Sequence, residues 1–318
     1  MTGNIGQEHV HSLGVAIADF LMPHRGRVSK QAVFWKMGDK AHNHAVSMKW
    51  LEFDTRDTVE ATRTLRASVS RAIHAAGGNS VELQEHAAFV IGLWGKLHTS
   101  ATTINSYVER FRTNASPEIK SAADLRASRK LAHPFPFEGV ASWSKWLSFS
   151  WPSWALIYDS RIAFCINAIN VIKRVGAPAF PAPPGQGRIL ARLNPQMLAV
   201  LGAVHADRGQ FAVGVGKGSP EGRNGAIKML QAFVVDEEYF YERYLDVMRV
   251  AHDRLWDTDT TFEHTEMLLF TMTNEIFVDL ASFVLSGGAH GVPGGGKPFV
   301  AQSRAPGGSE CAAPGSAA

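Results

Sequence analysis

Apolar residues recur three and four positions apart along most of the chain, the spacing that lines one face of an α-helix, and the alternating runs that strands need are sparse. DTVEATRTLRASVSRAIHAAGG opens with Asp57 three residues before Glu60, a capping-box pattern, and closes on Gly77 and Gly78. Asn79 with Glu82 starts a second helix, NSVELQEHAAFVIGLWGKL, in which Val90, Leu93, Trp94 and Leu97 share a face. TTINSYVERF and SPEIKSAADLRASRKL follow, then ARLNPQMLAVLGAVH, a long pattern from Ala226 to Leu255, and HTEMLLFTMTNEIFVDLASFVLSG. The pattern predicts an all-α fold over residues 1–286. From Gly287 to Ala318 the composition turns to Gly, Pro and Ala with few apolar residues, which predicts a disordered tail.

Two breaks rich in Gly and Pro, residues 176–188 and 214–225, interrupt the helices. Lys217 sits among glycines in the second, but Gly218 follows it where a phosphate-binding loop needs Ser or Thr entering a helix, so nucleotide hydrolysis is not indicated. His9 with His11 and His42 with His44 are spaced two apart. On a helix such residues point in different directions, and no Cys or HExxH partner completes a zinc set, so no metal site and no cofactor are expected.

Composition narrows the setting further. With 45% hydrophobic residues in 318, the chain can bury a large core, and 32 basic against 29 acidic residues permit nucleic-acid binding without demanding it. The two cysteines, Cys165 and Cys311, make no disulfide framework, and no apolar run reaches the length of a membrane span. The opening residues lack the basic start and apolar run of a signal peptide, so a cytoplasmic protein with no membrane partner is expected.

The chemistry concentrates in FEGVASWSKWLSFSWPSWALIYDSRIAFCI, residues 137–166. Gly139 supplies a tight turn, Ser142 and Ser144 are starters for a short helix carrying Trp146 and Leu147, and Pro152 ends it. Asp159 then opens a helix whose Ile162, Cys165, Ile166, Ile169 and Ile172 form one apolar stripe, terminated by Lys173, Arg174 and Gly176. An Asp at that place is the natural acceptor for the free N–H groups of a first helical turn.

This order of glycine turn, short helix, apolar linker and Asp resembles the helix-hairpin-helix DNA glycosylases, and in its IYDSRIA form the 8-oxoguanine DNA glycosylase-like branch. The likeness covers about thirty residues within 137–175. It implies a multi-helix fold with a cleft, hairpin backbone at Gly139, Val140 and Ala141 facing DNA phosphate, and Asp159 as the catalytic residue at the mouth of a pocket for a base flipped from DNA. Lys145 and Arg161 are candidate phosphate contacts, and Trp143 and Trp154 candidates to stack the base or fill the gap it leaves. Bifunctional members carry a Schiff-base lysine at a position that is Ala141 here, so a monofunctional enzyme is expected, with a Lys145-dependent lyase as the alternative. The implied partner is DNA with a damaged or modified base, bound by a monomer, in base-excision repair or in defence against phage DNA carrying modified bases. Two rival readings use Asp159 only as a cap: a non-catalytic DNA-binding module, and a helical bundle engaged in protein interaction.

Overall fold

The computed structural model describes residues 6–54, 56–114, 135–183, 235, 237–256 and 260–285. In chain order these form α1 (Gln7–Leu21), a 3-10 turn (Met22–Val28), α2 (Asp39–Ser47), α3 (Val59–Ala76), α4 (Ser80–Ala88), a π-helical turn (Phe89–Trp94) and α5 (Ala101–Asn114). After them come α6 (Val140–Ser150), α7 (Ser160–Ile172), α8 (Phe240–Leu255), α9 (Glu263–Thr271) and α10 (Thr273–Leu285). Among the described residues there is no strand, only isolated bridge positions such as Val33 with Thr58, so the fold is all-α as expected. The segment SPEIKSAADLRASRKL, the run ARLNPQMLAVLGAVH, the glycine loop with Lys217, the first part of the pattern from Ala226 and the tail from Gly287 lie outside the described residues.

α7 is the central element. It packs against α1, α9 and α10, and from Ile162 to Val171 every residue is buried. The expected single stripe is therefore too narrow a reading: a helix enclosed on all sides is apolar all round. Its two polar residues are absorbed by backbone. Asn167 donates to Phe180 O and accepts from Phe180 N, each at 2.8 Å, while Asn170 does the same with Ala177 at 2.7 and 3.2 Å. Two amide side chains thus satisfy the returning segment 177–180 as a neighbouring strand would.

Three helix ends differ from the sequence expectation for identifiable reasons. α3 is capped by Thr58, whose hydroxyl accepts from Ala61 N at 3.1 Å, because Asp57 is occupied elsewhere, accepting from Met37 N at 2.7 Å. α4 is capped by Asn79 as expected, with Asn79 also donating to Glu82 at 2.7 Å. The helix does not run on to Leu97, however. The π-helical turn over Phe89–Trp94 adds residues to the turn and rotates the face, so Val90 and Trp94 are buried while Leu93 is exposed. α6 begins at Val140, and Ser142 and Ser144 lie inside it rather than starting it. Among the described residues no single helix is long and apolar enough to cross a membrane; α9 and α10 reach that length only as a pair bent by 57°.

Candidate functional site

Gly139 sets the direction of α6. It adopts a left-handed conformation, φ 75° and ψ 12°, and a β-carbon there would collide with the Tyr107 hydroxyl. Left-handed strain and the clash act together, so Gly139→Ala is expected to destabilise the fold by about 2 kcal/mol, read as a lower melting temperature. The Val140 N–H, a phosphate donor in the expected hairpin, donates to Phe137 O at 3.1 Å within this turn. Ala141 is half-buried in the first turn of α6. The residues that would complete a hairpin before the glycine, 115–134, lie outside the described residues.

The linker 155–158 leads to Asp159, and it is fully enclosed, with no strand beside it among the described residues. Buried backbone polar groups need partners, and here side chains supply them. Tyr241 donates to Leu156 O at 2.7 Å, and Tyr244 donates to Ile157 O at 2.8 Å. Ile157 N donates to Glu266 Oε2 at 2.9 Å. The Ser144 hydroxyl accepts from Tyr158 N at 2.9 Å and donates to Tyr158 O at 3.1 Å, tying α6 to the residue before Asp159. Glu266, 1% exposed, is in turn bridged to Arg66, 0% exposed, at 2.9 Å, and Glu263 stands 3.6 Å from the same guanidinium. Burial works against the charged guanidinium, but the two carboxylates outweigh it and hold Arg66 above the ordinary arginine value. Burial pushes the Glu266 carboxyl up, with Arg66 pulling the other way.

Asp159 caps α7. Both cap bonds, from Arg161 N at 2.9 Å and Ile162 N at 3.1 Å, are accepted by Oδ1, so Oδ2 is not used by the cap. Lys145, the neighbour of Ser144, is 5% exposed and donates from Nζ to Ala141 O at 2.9 Å. Burial lowers the lysine's proton affinity, and the negative charges of Asp159 and Glu266 oppose that only in part. A buried amine thus feels the charge of the half-buried Asp159 without an ion pair to it.

A chain of side-chain contacts links Arg161, two residues beyond Asp159, to Lys145. Arg161, on the first turn of α7, lays its guanidinium 4.7 Å from the Phe270 ring centre, and Phe270 meets Trp35 edge to face at 5.9 Å. Trp35 rests on Trp94 and donates from Nε1 to Trp94 O at 3.0 Å, and the Lys96 amine lies 5.4 Å from its ring centre. The circuit closes at Gly95, where an added β-carbon would stand 2.9 Å from Lys145 Cδ; the absent side chain is what lets the lysine stem pass. Trp35, Phe270 and Lys96 escape a reading of residues 137–166 because they come from far along the chain. Their signals in the structure are the π-helical turn just before Lys96 and the left-handed backbone of Lys96 itself, φ 53°.

The other residues singled out from sequence sit elsewhere. Trp143 is 1% exposed, stacked on Phe135 at 5.0 Å and bonded from Nε1 to Pro136 O at 2.8 Å, so its ring is part of the core. Trp154 is buried against Trp151 at 5.4 Å. A cavity of about 380 Å³ is lined by Glu60, Arg63, Pro152 and Glu263 among others, and neither Asp159 nor Lys145 borders it. Its arginine is paired to both acids. His44 stacks on Phe89 at 5.1 Å and His42 is buried, and among the described residues no group of three or more His, Cys, Asp or Glu stands close enough to hold a metal ion.

No protein-family model, no curated protein and no solved structure matches this chain.

Proposed function

We propose that the protein is a DNA N-glycosylase that takes a damaged or modified base out of DNA and hydrolyses its glycosidic bond through Asp159. The observation that carries this is the carboxylate itself: one oxygen fixes it to a helix N-terminus, the other is left over, and a buried polar network holds the backbone leading to it. A capping residue alone needs no such support.

The chemistry follows from that placement. As the C1′–N bond breaks, the base keeps the electron pair and positive charge builds on the sugar, as in other glycoside cleavage. Asp159 Oδ2 facing the sugar stabilises that charge, and water adds to C1′ with loss of its proton, the departing base taking up a proton in exchange. The fixed carboxylate needs no reorganisation during the step, because the α7 N–H groups already hold it. The product is an abasic site with its strand intact.

A second reading is favoured by one observation, the burial of Lys145 within reach of the Asp159 charge. A neutral amine there could attack C1′ in place of water, form a Schiff base with the opened sugar and cut the strand by elimination. Borohydride separates the two readings. With water as nucleophile no covalent DNA complex is trapped. Trapping that is abolished in Lys145→Gln, and that increases as pH rises toward the ordinary lysine value, assigns the attack to Lys145. The sign follows from desolvation: the buried amine sheds its proton at lower pH than an exposed one, so the nucleophilic form is gained as pH rises. The same shift makes the unfolded chain hold more protons than the folded one in that window, so stability also rises with pH there.

A further inference from the structure

Trp35 and Phe270 are both partly exposed, and each offers a ring face that a cation now covers. Lys96 and Arg161, the two cations, are themselves exposed. Lys96 also donates to Lys36 O at 2.8 Å, so its amine bridges a carbonyl and a ring rather than a carboxylate. Neither cation has an acidic side chain within ion-pair distance among the described residues. Two aromatic faces held under two replaceable cations, one of them Arg161 two residues beyond Asp159, make an arrangement suited to a polyanion that carries flat rings.

We propose that Trp35 and Phe270 form the stacking platform for the base that Asp159 releases, and that Lys96 and Arg161 leave those rings to hold the phosphates on either side of the extruded nucleotide. The assignment rests on the glycosylase reading. A cation on an exposed ring is held less strongly than one in a charge-assisted bond to phosphate, so DNA draws both cations away. The uncovered faces then take a base, and stacking tolerates any base because every base has a π-face. Exchange of partners also couples the two events: the rings become available only where phosphates have arrived.

The test uses the full chain carrying Asp159→Asn, so that no base is released during binding. The probes are a DNA duplex with one bulged 2-aminopurine and the same duplex with a tetrahydrofuran abasic residue at that position. Binding should quench 2-aminopurine fluorescence. Trp35→Leu should weaken binding to the 2-aminopurine duplex by about tenfold, restore the fluorescence, and leave binding to the tetrahydrofuran duplex unchanged. Lys96→Gln and Arg161→Gln should each lower the slope of log affinity against log salt by about one. Equal losses on both duplexes in Trp35→Leu would reduce the ring to a packing residue and overturn the platform. So would unchanged salt slopes in both cation variants, which do not depend on how Trp35→Leu folds. If the platform fails in these ways while the wild-type chain frees a base and Asp159→Asn does not, the glycosylase reading stands without it. If the wild type frees no base from any DNA, that reading falls independently of what the two duplexes show.

Discussion

Asp159→Asn is expected to yield a folded, DNA-binding protein whose rate of base release has fallen about 100-fold or more. The amide oxygen of Asn can accept the two bonds that Oδ1 now accepts from Arg161 N and Ile162 N, and Asn is among the best N-cap residues, so the melting temperature should move little. What is lost is the negative charge on Oδ2, the only part of the side chain that the cap does not use. Affinity for DNA should be retained or rise, since an anion near the phosphates has been removed. The variant therefore separates a cap from a catalyst in one comparison. A cap predicts mild effects in every assay, and a catalyst predicts a loss confined to base release.

The largest effect on stability is expected from Glu266→Ala. It removes the partner of Arg66, which is fully buried and then keeps only Glu263 at 3.6 Å, and it leaves Ile157 N without its acceptor. Breaking a buried ion pair from one side costs about 3–5 kcal/mol, which for a chain of this size corresponds to a fall in melting temperature of roughly 5–8 °C. Glu266→Gln should lie between this and the wild type, because its amide oxygen can still accept from Ile157 N. Base release should track the linker rather than global stability: even well below the melting temperature, Glu266→Ala should lower kcat more than Glu266→Gln does, since Asp159 lies two residues beyond Ile157.

Helices α3, α4 and α7 and the Asp159 cap were legible in the sequence because their signals are local, whereas α1 and α2 were not read from it. A Thr or Asn before a periodic run, a glycine after it and an Asp two and three residues ahead of free N–H groups are features of neighbouring residues. The exceptions show where locality ends. Asp57 looked like the cap of α3, but Met37 N, twenty residues back, had claimed it, and the cap moved to Thr58. Leu93 fell off the expected face because a π-helical turn has no sequence period of its own. The site divided in the same way. Lys145, Asp159 and Arg161 come from one stretch and could be named together. Glu266, Arg66, Trp35, Phe270 and Lys96 reach them from other parts of the chain, and only packing brings them there. The tryptophans at 143 and 154 drew attention by density in sequence, yet burial fits them to the core, while the partly exposed Trp35 stands alone in its own segment.

Whether Asp159 drives release of a base from DNA is decided by mass spectrometry of the small molecules freed when the chain is incubated with genomic DNAs and with phage DNAs carrying modified bases. A free base is expected from at least one of these DNAs, with an equal number of abasic sites left in the polymer and neither product from Asp159→Asn at the same concentration. A base freed at the same rate by Asp159→Asn, or no base freed from any of the DNAs by a wild-type chain that is folded, would contradict that role of Asp159.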